Sequence, residues 1–154
     1  MTRFALARWV ALLVPAALLI GAYGSQYIGG LVPCEMCWWQ RYPHFAAVAL
    51  ALLAFALRGA PARTLVALAA VAIVVSGGIG IFHAGVEYHW WEGVTRCTVA
   101  APASGADFLK EIMNAPIVRC DQAQWTLFGI SLAGWNAIVS IPAGLYALWL
   151  LRRA

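Results

Sequence analysis

Charged side chains are scarce in this 154-residue chain, because only 10% of its residues are charged whereas 64% are hydrophobic. Ordinary soluble domains carry about a quarter charged residues. Ten basic and six acidic side chains are too few to cover a water-soluble globule of this size, so lipid is the expected solvent. The composition therefore excludes an ordinary soluble domain and predicts an integral membrane protein.

Four apolar segments reach or approach the roughly 20 residues that a helix needs to cross a bilayer. The first resembles a signal peptide, but its uncharged stretch exceeds the usual signal core of roughly 7 to 15 residues, which favours an uncleaved span. The predicted fold is an all-α integral membrane protein, a four-transmembrane-helix bundle forming a single domain over 1–154. The predicted spans are about 9–28, 38–57, 64–86 and 125–151.

The second of these segments is the least apolar. Its uninterrupted apolar run covers only 45–57, so a span has to extend back toward Cys37. The extension brings three polar residues to the outer boundary of the span: Gln40, Arg41 and His44. An ionisable residue at that depth is costly and is a candidate functional residue. The alternative is that Arg41 only extends its charged end to the lipid headgroups.

Acidic residues are absent from one side of the four-span arrangement, which holds Arg3, Arg8, Arg58, Arg63, Arg152 and Arg153. By the positive-inside rule this side, with both termini, is cytoplasmic. The two periplasmic loops are then about 29–37 and 87–124. Within the second loop, 104–114 has the pattern of a short amphipathic surface helix. The arginines form no interleaved basic patch, which argues against nucleic-acid binding.

Small or weakly polar residues recur at intervals of four in three of the spans. Such stripes allow helices to approach closely in lipid, so we expect them to form helix–helix contacts. An amide within hydrocarbon should also point into the bundle. The three stripes are Ala17, Gly21, Ser25 and Gly29; Ser76, Gly80 and Ala84; and Asn136, Ser140 and Gly144.

No cysteine falls within a span or on the inner side, since Cys34, Cys37, Cys97 and Cys120 all lie in the outer loops. A thiol relay across the membrane is therefore excluded. If the outer side is the bacterial periplasm, it is oxidising, and disulfides can persist there. No histidine follows the CxxC motif, which argues against covalent haem, and no second short cysteine pair completes a zinc site. No metal site is predicted.

The stretch "VPCEMCWWQR" is suited to a redox-active pair. A helix beginning at the motif would direct its free N–H groups and positive dipole end at the cysteines, and Pro33 is typical of a helix start. Arg41, four residues after Cys37, would lie on the same face and favour a Cys37 thiolate. The alternative is a purely structural disulfide. Electrons from the thiols need an acceptor at the outer boundary, and a lipid-dissolved quinone is the candidate.

Four spans, the segment "CEMCWWQR" and two further cysteines in a long second outer loop resemble the disulfide bond formation protein B (DsbB) family of thiol:quinone oxidoreductases of the bacterial inner membrane. The likeness extends to "HAGVEYHWWEG" and "CDQAQWTLFG" and covers nearly the whole chain. It implies that a reduced DsbA-like periplasmic oxidase attacks Cys97, which releases Cys120 to exchange with Cys34. Cys37 would then pass two electrons to ubiquinone or menaquinone, and the Cys34–Cys37 disulfide would re-form.

The resemblance also assigns quinone binding to Arg41, and His44 is a second candidate for that site. Three other interpretations stay open. A four-helix b-type cytochrome could use His44, His83 and His89 as axial ligands, a non-enzymatic scaffold could use disulfides only to brace its loops, and a vitamin K epoxide reductase-like protein would do related chemistry with its CxxC late in the chain. The sequence assigns no role to His83, His89 or Glu87.

Overall fold

The computed structural model describes residues 1–94 and 118–153, in which four α-helices and one short β-hairpin are found. The predicted helical bundle is confirmed, while the surface helix predicted at 104–114 lies outside the described residues. The helices are α1 (Arg3–Tyr27), α2 (Glu35–Ala56), α3 (Gly59–Glu87) and α4 (Leu132–Arg152). The strands β1 (Thr126–Leu127) and β2 (Ile130–Ser131) pair antiparallel ahead of α4.

The helices form a ring in which each packs against two neighbours. α3 packs on α2 and α4, and α1 closes the ring by packing on the same two helices. The two ends of the chain meet at one end of the bundle, where Arg3 Nη1 donates to the Arg153 carbonyl oxygen over 3.0 Å. Arg63 Nη2 donates to the Leu151 carbonyl oxygen over 2.8 Å. These arginines satisfy carbonyl groups that lack a partner within the last turn of α4.

Three of the described helices, α1, α3 and α4, are long and apolar enough to cross a membrane. α2 has a similar length, 22 residues, but polar side chains in its first half lower its hydropathy. Those side chains are turned into the bundle, since Gln40 and Arg41 are each 7% exposed and His44 is 3% exposed. The polar residues that weaken the apolar pattern of α2 are therefore shielded from its surroundings.

Three helices begin away from the predicted span boundaries, and α3 begins at Gly59 instead of near residue 64. α1 begins at Arg3 instead of near residue 9, and the Thr2 hydroxyl caps it by accepting the Ala5 N–H over 3.2 Å. α4 begins at Leu132 instead of near residue 125, because the hairpin takes up the residues between. Ser131 ends the hairpin and caps α4, accepting the Gly134 N–H over 3.1 Å.

The hairpin is built on a two-residue turn and is anchored to the end of α3. Phe128 and Gly129 both have positive φ, 53° and 76°, which is typical of the type I′ turn that suits strand twist. The Tyr88 hydroxyl donates to the Gly129 carbonyl oxygen over 2.9 Å and accepts the Ser131 N–H over 2.8 Å. The start of α4 is thereby fixed against the end of α3.

The half of the bundle that holds the chain termini is packed mainly with alanine. Small side chains let the helix backbones approach closely, which favours association in lipid. No polar side chain belongs to this part of the described core. Its buried members are Ala7, Ala11, Ala47, Ala51, Ala54, Val66, Ala69, Ile73, Leu150 and Leu151.

Two of the three predicted small-residue stripes form close helix contacts, and the third does not. A methyl group added to Gly80 of α3 would lie 2.8 Å from the Ala133 carbonyl oxygen, and one added to Gly144 of α4 would lie 2.8 Å from the Ala70 carbonyl oxygen. In contrast, a methyl group added to Gly21 of α1 would meet nothing within 4 Å. The α1 stripe borders a cavity instead of a helix, which corrects the expectation of packing there.

We expect Gly80→Ala to lower the free energy of unfolding by about 1–3 kcal/mol, because the added methyl group overlaps the backbone of α4. Gly78→Ala is the matched control, since it lies two residues away on the same helix and has nothing within 4 Å. Thermal unfolding in detergent would compare the two variants. Equal melting temperatures would contradict the close contact between α3 and α4.

A side-chain amide joins the segment after Cys120 to the segment before Cys34. The Gln124 Oε1 accepts the Val32 N–H over 3.0 Å, and the Gln124 Nε2 donates to the Val32 carbonyl oxygen over 2.6 Å. The Gln124 side-chain amide thus both accepts from and donates to the Val32 backbone, as a residue of a neighbouring strand would. Both cysteine segments are held at the same end of the bundle.

Candidate active site

The CxxC motif forms the start of α2. Cys34 is the N-cap residue, with an extended backbone, and its sulfur accepts the Cys37 N–H over 3.2 Å. A cysteine sulfur here replaces the serine or aspartate oxygen usual at an N-cap. The predicted helix start at the motif is confirmed, and Cys34 receives one of the free N–H groups of the first turn.

Both sulfurs are close enough to share a proton. Cys34 donates to the Cys37 sulfur over 2.9 Å, and Cys34 is buried whereas Cys37 is half-buried. This hydrogen bond, followed by burial, raises the pKa of Cys34. The same hydrogen bond lowers the pKa of Cys37 against the effect of burial, and the charge of Arg41 lowers it further. Cys37 is therefore the thiol that ionises first. Both thiols precede the predicted span 38–57.

We expect Cys37 of the reduced protein to react with iodoacetamide at a lower pH than a short cysteine peptide in the same buffer, because its pKa is lowered. Cys34→Ala should move the profile to higher pH, since the hydrogen bond is lost while burial stays. Site-resolved mass spectrometry across a pH series would measure both profiles. An unchanged profile in Cys34→Ala would show that the neighbouring thiol does not control ionisation.

Arg41 lies one turn beyond Cys37, as predicted, and is held by α1. Its Nη1 donates to Gln26 Oε1 over 2.7 Å, and its Nη2 donates to the Ala22 carbonyl oxygen over 3.2 Å. The guanidinium carbon also lies 4.9 Å from the ring centres of Tyr23 and Trp38. Arg41 is therefore fixed within the bundle and does not extend freely toward headgroups.

His83 and Glu87 bring α3 to the CxxC motif. His83 Nε2 lies 3.5 Å from the Cys34 sulfur and 3.7 Å from Glu87 Oε1. His83 Nδ1 lies 2.8 Å from Gln40 Nε2 on α2. Because His83 and Glu87 are separated by one helical turn, they face the same side of α3. The sequence had assigned a role to neither.

A buried polar network continues from Gln40 toward the middle of the bundle. His44 Nε2 lies 2.9 Å from both Asn136 Oδ1 and Ser76 Oγ. The Ser140 hydroxyl donates to Asn136 Oδ1 over 2.8 Å, and Asn136 Nδ2 donates to Gln40 Oε1, also over 2.8 Å. The predicted inward direction of Asn136 is confirmed. These contacts tie α2, α3 and α4 together where the apolar core ends.

A cavity of about 260 Å³ opens beside the thiols, between α1 and the other helices. The cavity wall that α1 forms consists largely of small apolar residues, because the predicted small-residue stripe of α1 leaves space there. Residues that follow Cys120 close another side. Its polar lining includes Cys34, Cys37, Gln40, Arg41, His44, His83, Glu87 and Arg119. A largely apolar cavity on which polar groups converge is typical of a small-molecule site.

The model of the family described as disulfide bond formation protein DsbB matches residues 4–150. The chain belongs to the DsbB family. Its relatives include disulfide bond formation protein B of Marinobacter nauticus, 30% identical over 95% of this chain and 93% of the relative. Disulfide bond formation protein B of Verminephrobacter eiseniae is 33% identical over 94% of this chain and 83% of the relative. No solved structure is significantly similar to the chain.

Membership in the DsbB family indicates an oxidoreductase of disulfide bond formation. Three helices that are able to cross a membrane agree with a multi-pass membrane protein. The family assignment also removes the main reason for considering a cytochrome. His44 and His83 are engaged by amide and hydroxyl groups, and His89 is exposed beyond the end of α3.

The structure of this DsbB family member places three of its four cysteines together. Cys120 is fully buried and belongs to one cluster with Cys34, against which Cys37 packs. Cys97 lies outside the described residues. The arrangement brings Cys120 and the CxxC motif to the same place, as exchange between them requires.

The sulfurs of Cys34 and Cys37 and a ring nitrogen of His83 lie within 4.8 Å of one another, which is close enough to hold a metal ion. A metal would need an unprotonated nitrogen toward the sulfurs. The Gln40 amide opposes this arrangement, because its N–H group faces the other ring nitrogen, Nδ1, and leaves the proton on Nε2. In this DsbB family member the trio is better suited to thiol chemistry than to metal binding.

Proposed function

We propose that this protein reoxidises a periplasmic, DsbA-like, thioredoxin-like dithiol oxidase and passes the electrons to a membrane quinone. It would thereby support disulfide formation in secreted proteins. One observation carries the proposal: a closely paired CxxC motif opens into a largely apolar cavity that also presents a buried arginine, Arg41. A quinone headgroup is an apolar ring with carbonyl acceptors, and such a cavity suits it.

The proposed electron path has two stages. The partner's thiolate attacks Cys97 of a Cys97–Cys120 disulfide, and the released Cys120 attacks Cys34, which breaks the Cys34–Cys37 bond. The partner's second thiolate then releases Cys97, and Cys97 re-forms its disulfide with Cys120 and frees Cys34. Cys37 is left as the thiolate beside the cavity. Oxidation of two thiols to one disulfide releases two electrons and two protons, and a quinone takes up both pairs to become a quinol. The burial of Cys120 with Cys34 supports the exchange step.

In this proposal Arg41 hydrogen-bonds a carbonyl oxygen of the quinone and stabilises negative charge that develops on it. Its charge also favours the Cys37 thiolate, which prepares the electron donor. His44 is a second candidate contact, because it lines the cavity and its Nδ1 has no partner among residues 1–94 and 118–153. The quinone could be ubiquinone or menaquinone.

We propose that α2 is the fourth span, with both termini cytoplasmic and the thiols on the periplasmic side of the inner membrane. A helix of 22 residues is about 33 Å long, which suffices to cross the hydrocarbon core. Burial of Gln40, Arg41 and His44 supports this placement, because lipid would not meet their polar groups. The arginine-rich end of the bundle, free of acidic residues, supports the orientation.

An anaerobic assay with purified protein tests the function. A reduced thioredoxin-like dithiol partner and a soluble quinone are mixed with the protein, and quinone reduction is followed by absorbance. Rapid reduction that requires both partner and protein is the expected result. If neither ubiquinone-type nor menaquinone-type quinones are reduced with any of several partners, the proposal is contradicted. The CxxC motif would then be interpreted as a structural disulfide.

A further inference from the structure

Glu87 is a buried acid that the proposed electron path does not use. It is the last residue of α3, its side chain is 8% exposed, and it lines the cavity. The Ser131 side chain hydrogen-bonds to the Glu87 carboxyl group, but the Oε2 of that carboxyl is buried without a hydrogen-bond partner anywhere in 1–94 or 118–153. A buried carboxylate oxygen with no partner is costly, whereas a protonated acid is neutral and can donate to a molecule in the cavity.

The neighbouring His83 has a defined proton arrangement. Gln40 Nε2 faces the Met36 carbonyl oxygen over 3.2 Å, and a carbonyl can only accept. The amide nitrogen therefore also faces His83 Nδ1, which must accept. A neutral imidazole that accepts at Nδ1 carries its proton at Nε2.

The orientation of the Gln40 amide is also fixed independently, at its oxygen Oε1. Asn136 Nδ2 faces the Ser76 carbonyl oxygen over 3.2 Å, so this end of the Asn136 amide must be its donor. The same nitrogen donates to Gln40 Oε1. Two backbone carbonyl groups, on α2 and α3, thus impose one orientation on both amides and one tautomer on His83.

The Nε2–H of His83 consequently faces two groups that can become anions, while the His83 ring also hydrogen-bonds to the Cys120 backbone. Nε2 lies 3.5 Å from the Cys34 sulfur and 3.7 Å from Glu87 Oε1. At these distances the N–H dipole favours a thiolate at Cys34 or a carboxylate at Glu87, whichever carries the charge. His83 cannot itself take a proton from Cys34 at Nε2, because that nitrogen is already protonated.

We propose that Glu87 is the proton carrier of the reaction, giving its proton to a quinone oxygen in the cavity and regaining one from Cys34, while His83 stabilises both anions. This inference rests on the proposed thiol:quinone activity and adds the route of one proton. Proton donors placed in this way contribute about 10²–10⁴-fold to a rate.

The reduced pair starts as a Cys34 thiol and a Cys37 thiolate, and it ends as a disulfide after the Cys34 S–H bond breaks and the S–S bond forms. Two electrons pass to the quinone, which takes one proton from Glu87 and a second proton from the medium. The second proton replaces the one that Cys37 released to the medium when it ionised. Glu87 is reprotonated by the proton that Cys34 releases into the cavity that both residues line, so it is unchanged after each turnover.

Several charged or titratable groups face Glu87 across the cavity. From α2 they are Cys37, Arg41 and His44, and from the segment before β1 the group is Arg119. In the described cavity lining, α1 and α4 contribute no titratable side chain. Arg41 and Arg119 line the same cavity as the acid, and Arg119 is ion-paired with Asp121 over 2.6 Å.

Glu87→Gln tests the inference, with Glu92→Gln, an exposed position, as the matched control. Single-turnover quinone reduction by the pre-reduced protein is measured across a pH series and in H₂O and D₂O. We expect Glu87→Gln to slow quinone reduction by about 100-fold, to flatten its pH dependence, and to leave the quinone KM within about threefold. Glu92→Gln should behave as wild type, and Glu87→Asp should restore the wild-type pH dependence at a reduced rate.

The outcomes separate this inference from the proposed function. Unchanged quinone reduction in Glu87→Gln, or an equal loss at every pH with no change in the D₂O effect, overturns the proton-carrier role while wild-type turnover upholds the function. No quinone reduction by wild type overturns the function and this inference with it. If Glu87→Gln does not assemble, Glu87→Asp decides, because a flat pH profile in a variant that retains an acid overturns the role.

Discussion

Cys37→Ser should reduce quinone turnover to the uncatalysed rate, a loss of about 10⁴-fold or more, because the thiolate that donates electrons at the cavity is gone. The hydroxyl group of serine does not ionise in the working pH range and cannot form a disulfide. Without Cys37, Cys34 carries no disulfide that the released Cys120 could attack, so the Cys97–Cys120 disulfide should oxidise one equivalent of partner and then stay reduced. Quinone absorbance measures the loss, and non-reducing mass spectrometry should detect Cys97 and Cys120 as thiols after that single turnover.

The control for this experiment is Glu35→Gln, which alters an exposed residue between the two cysteines and should keep wild-type turnover. Turnover that survives in Cys37→Ser would mean that electrons leave by another group. If disulfide bond formation in cells also survives in Cys37→Ser, the scaffold interpretation, in which disulfides only brace the loops, would be favoured.

Arg41→Met should raise the quinone KM by about 10- to 100-fold, the range expected when a charged hydrogen bond is lost in a buried site. The first exchange with the partner should change little, because it takes place at cysteines before the quinone is needed. Steady-state quinone kinetics and a single-turnover partner oxidation would separate these two effects.

Arg63→Met is the matched control for Arg41→Met, since Arg63 also donates to a backbone carbonyl but lies at the opposite end of the bundle. Its quinone KM should stay at the wild-type value. Equal losses of partner oxidation and quinone reduction in Arg41→Met would remove Arg41 from the quinone site and make it a structural residue held by Gln26 and Tyr23.

The sequence was sufficient for the helical bundle and for the helix start at Cys34, because hydrophobic length and local capping decide these features. The position of Arg41 beyond Cys37 also followed, since one helical turn is a local relation. The quinone-site roles of Arg41 and His44 stay predictions. So does the role of Cys97, which lies outside the described residues.

Features that depend on contacts between distant segments were not predictable in this way. The α1 stripe looked like a packing surface, because spacing alone does not say whether a helix or a cavity lies opposite Gly21. The predicted fourth span includes the hairpin before α4, since its residues are as apolar as those that follow. The Gln40–Asn136 contact joins residues 96 positions apart, and nothing local in either segment signals it.

The pairing of Gln124 with Val32 has a kinetic consequence. Gln124 follows Cys120 by four residues and Val32 precedes Cys34 by two, so the amide clamp tethers one reacting sulfur beside the other. Even a loose tether gives an effective concentration on the order of millimolar, and a positioned one exceeds that. In the proposed reaction, transfer of oxidising equivalents between the two loops would thus be a first-order event, and only the encounter with the soluble partner would depend on the abundance of that partner.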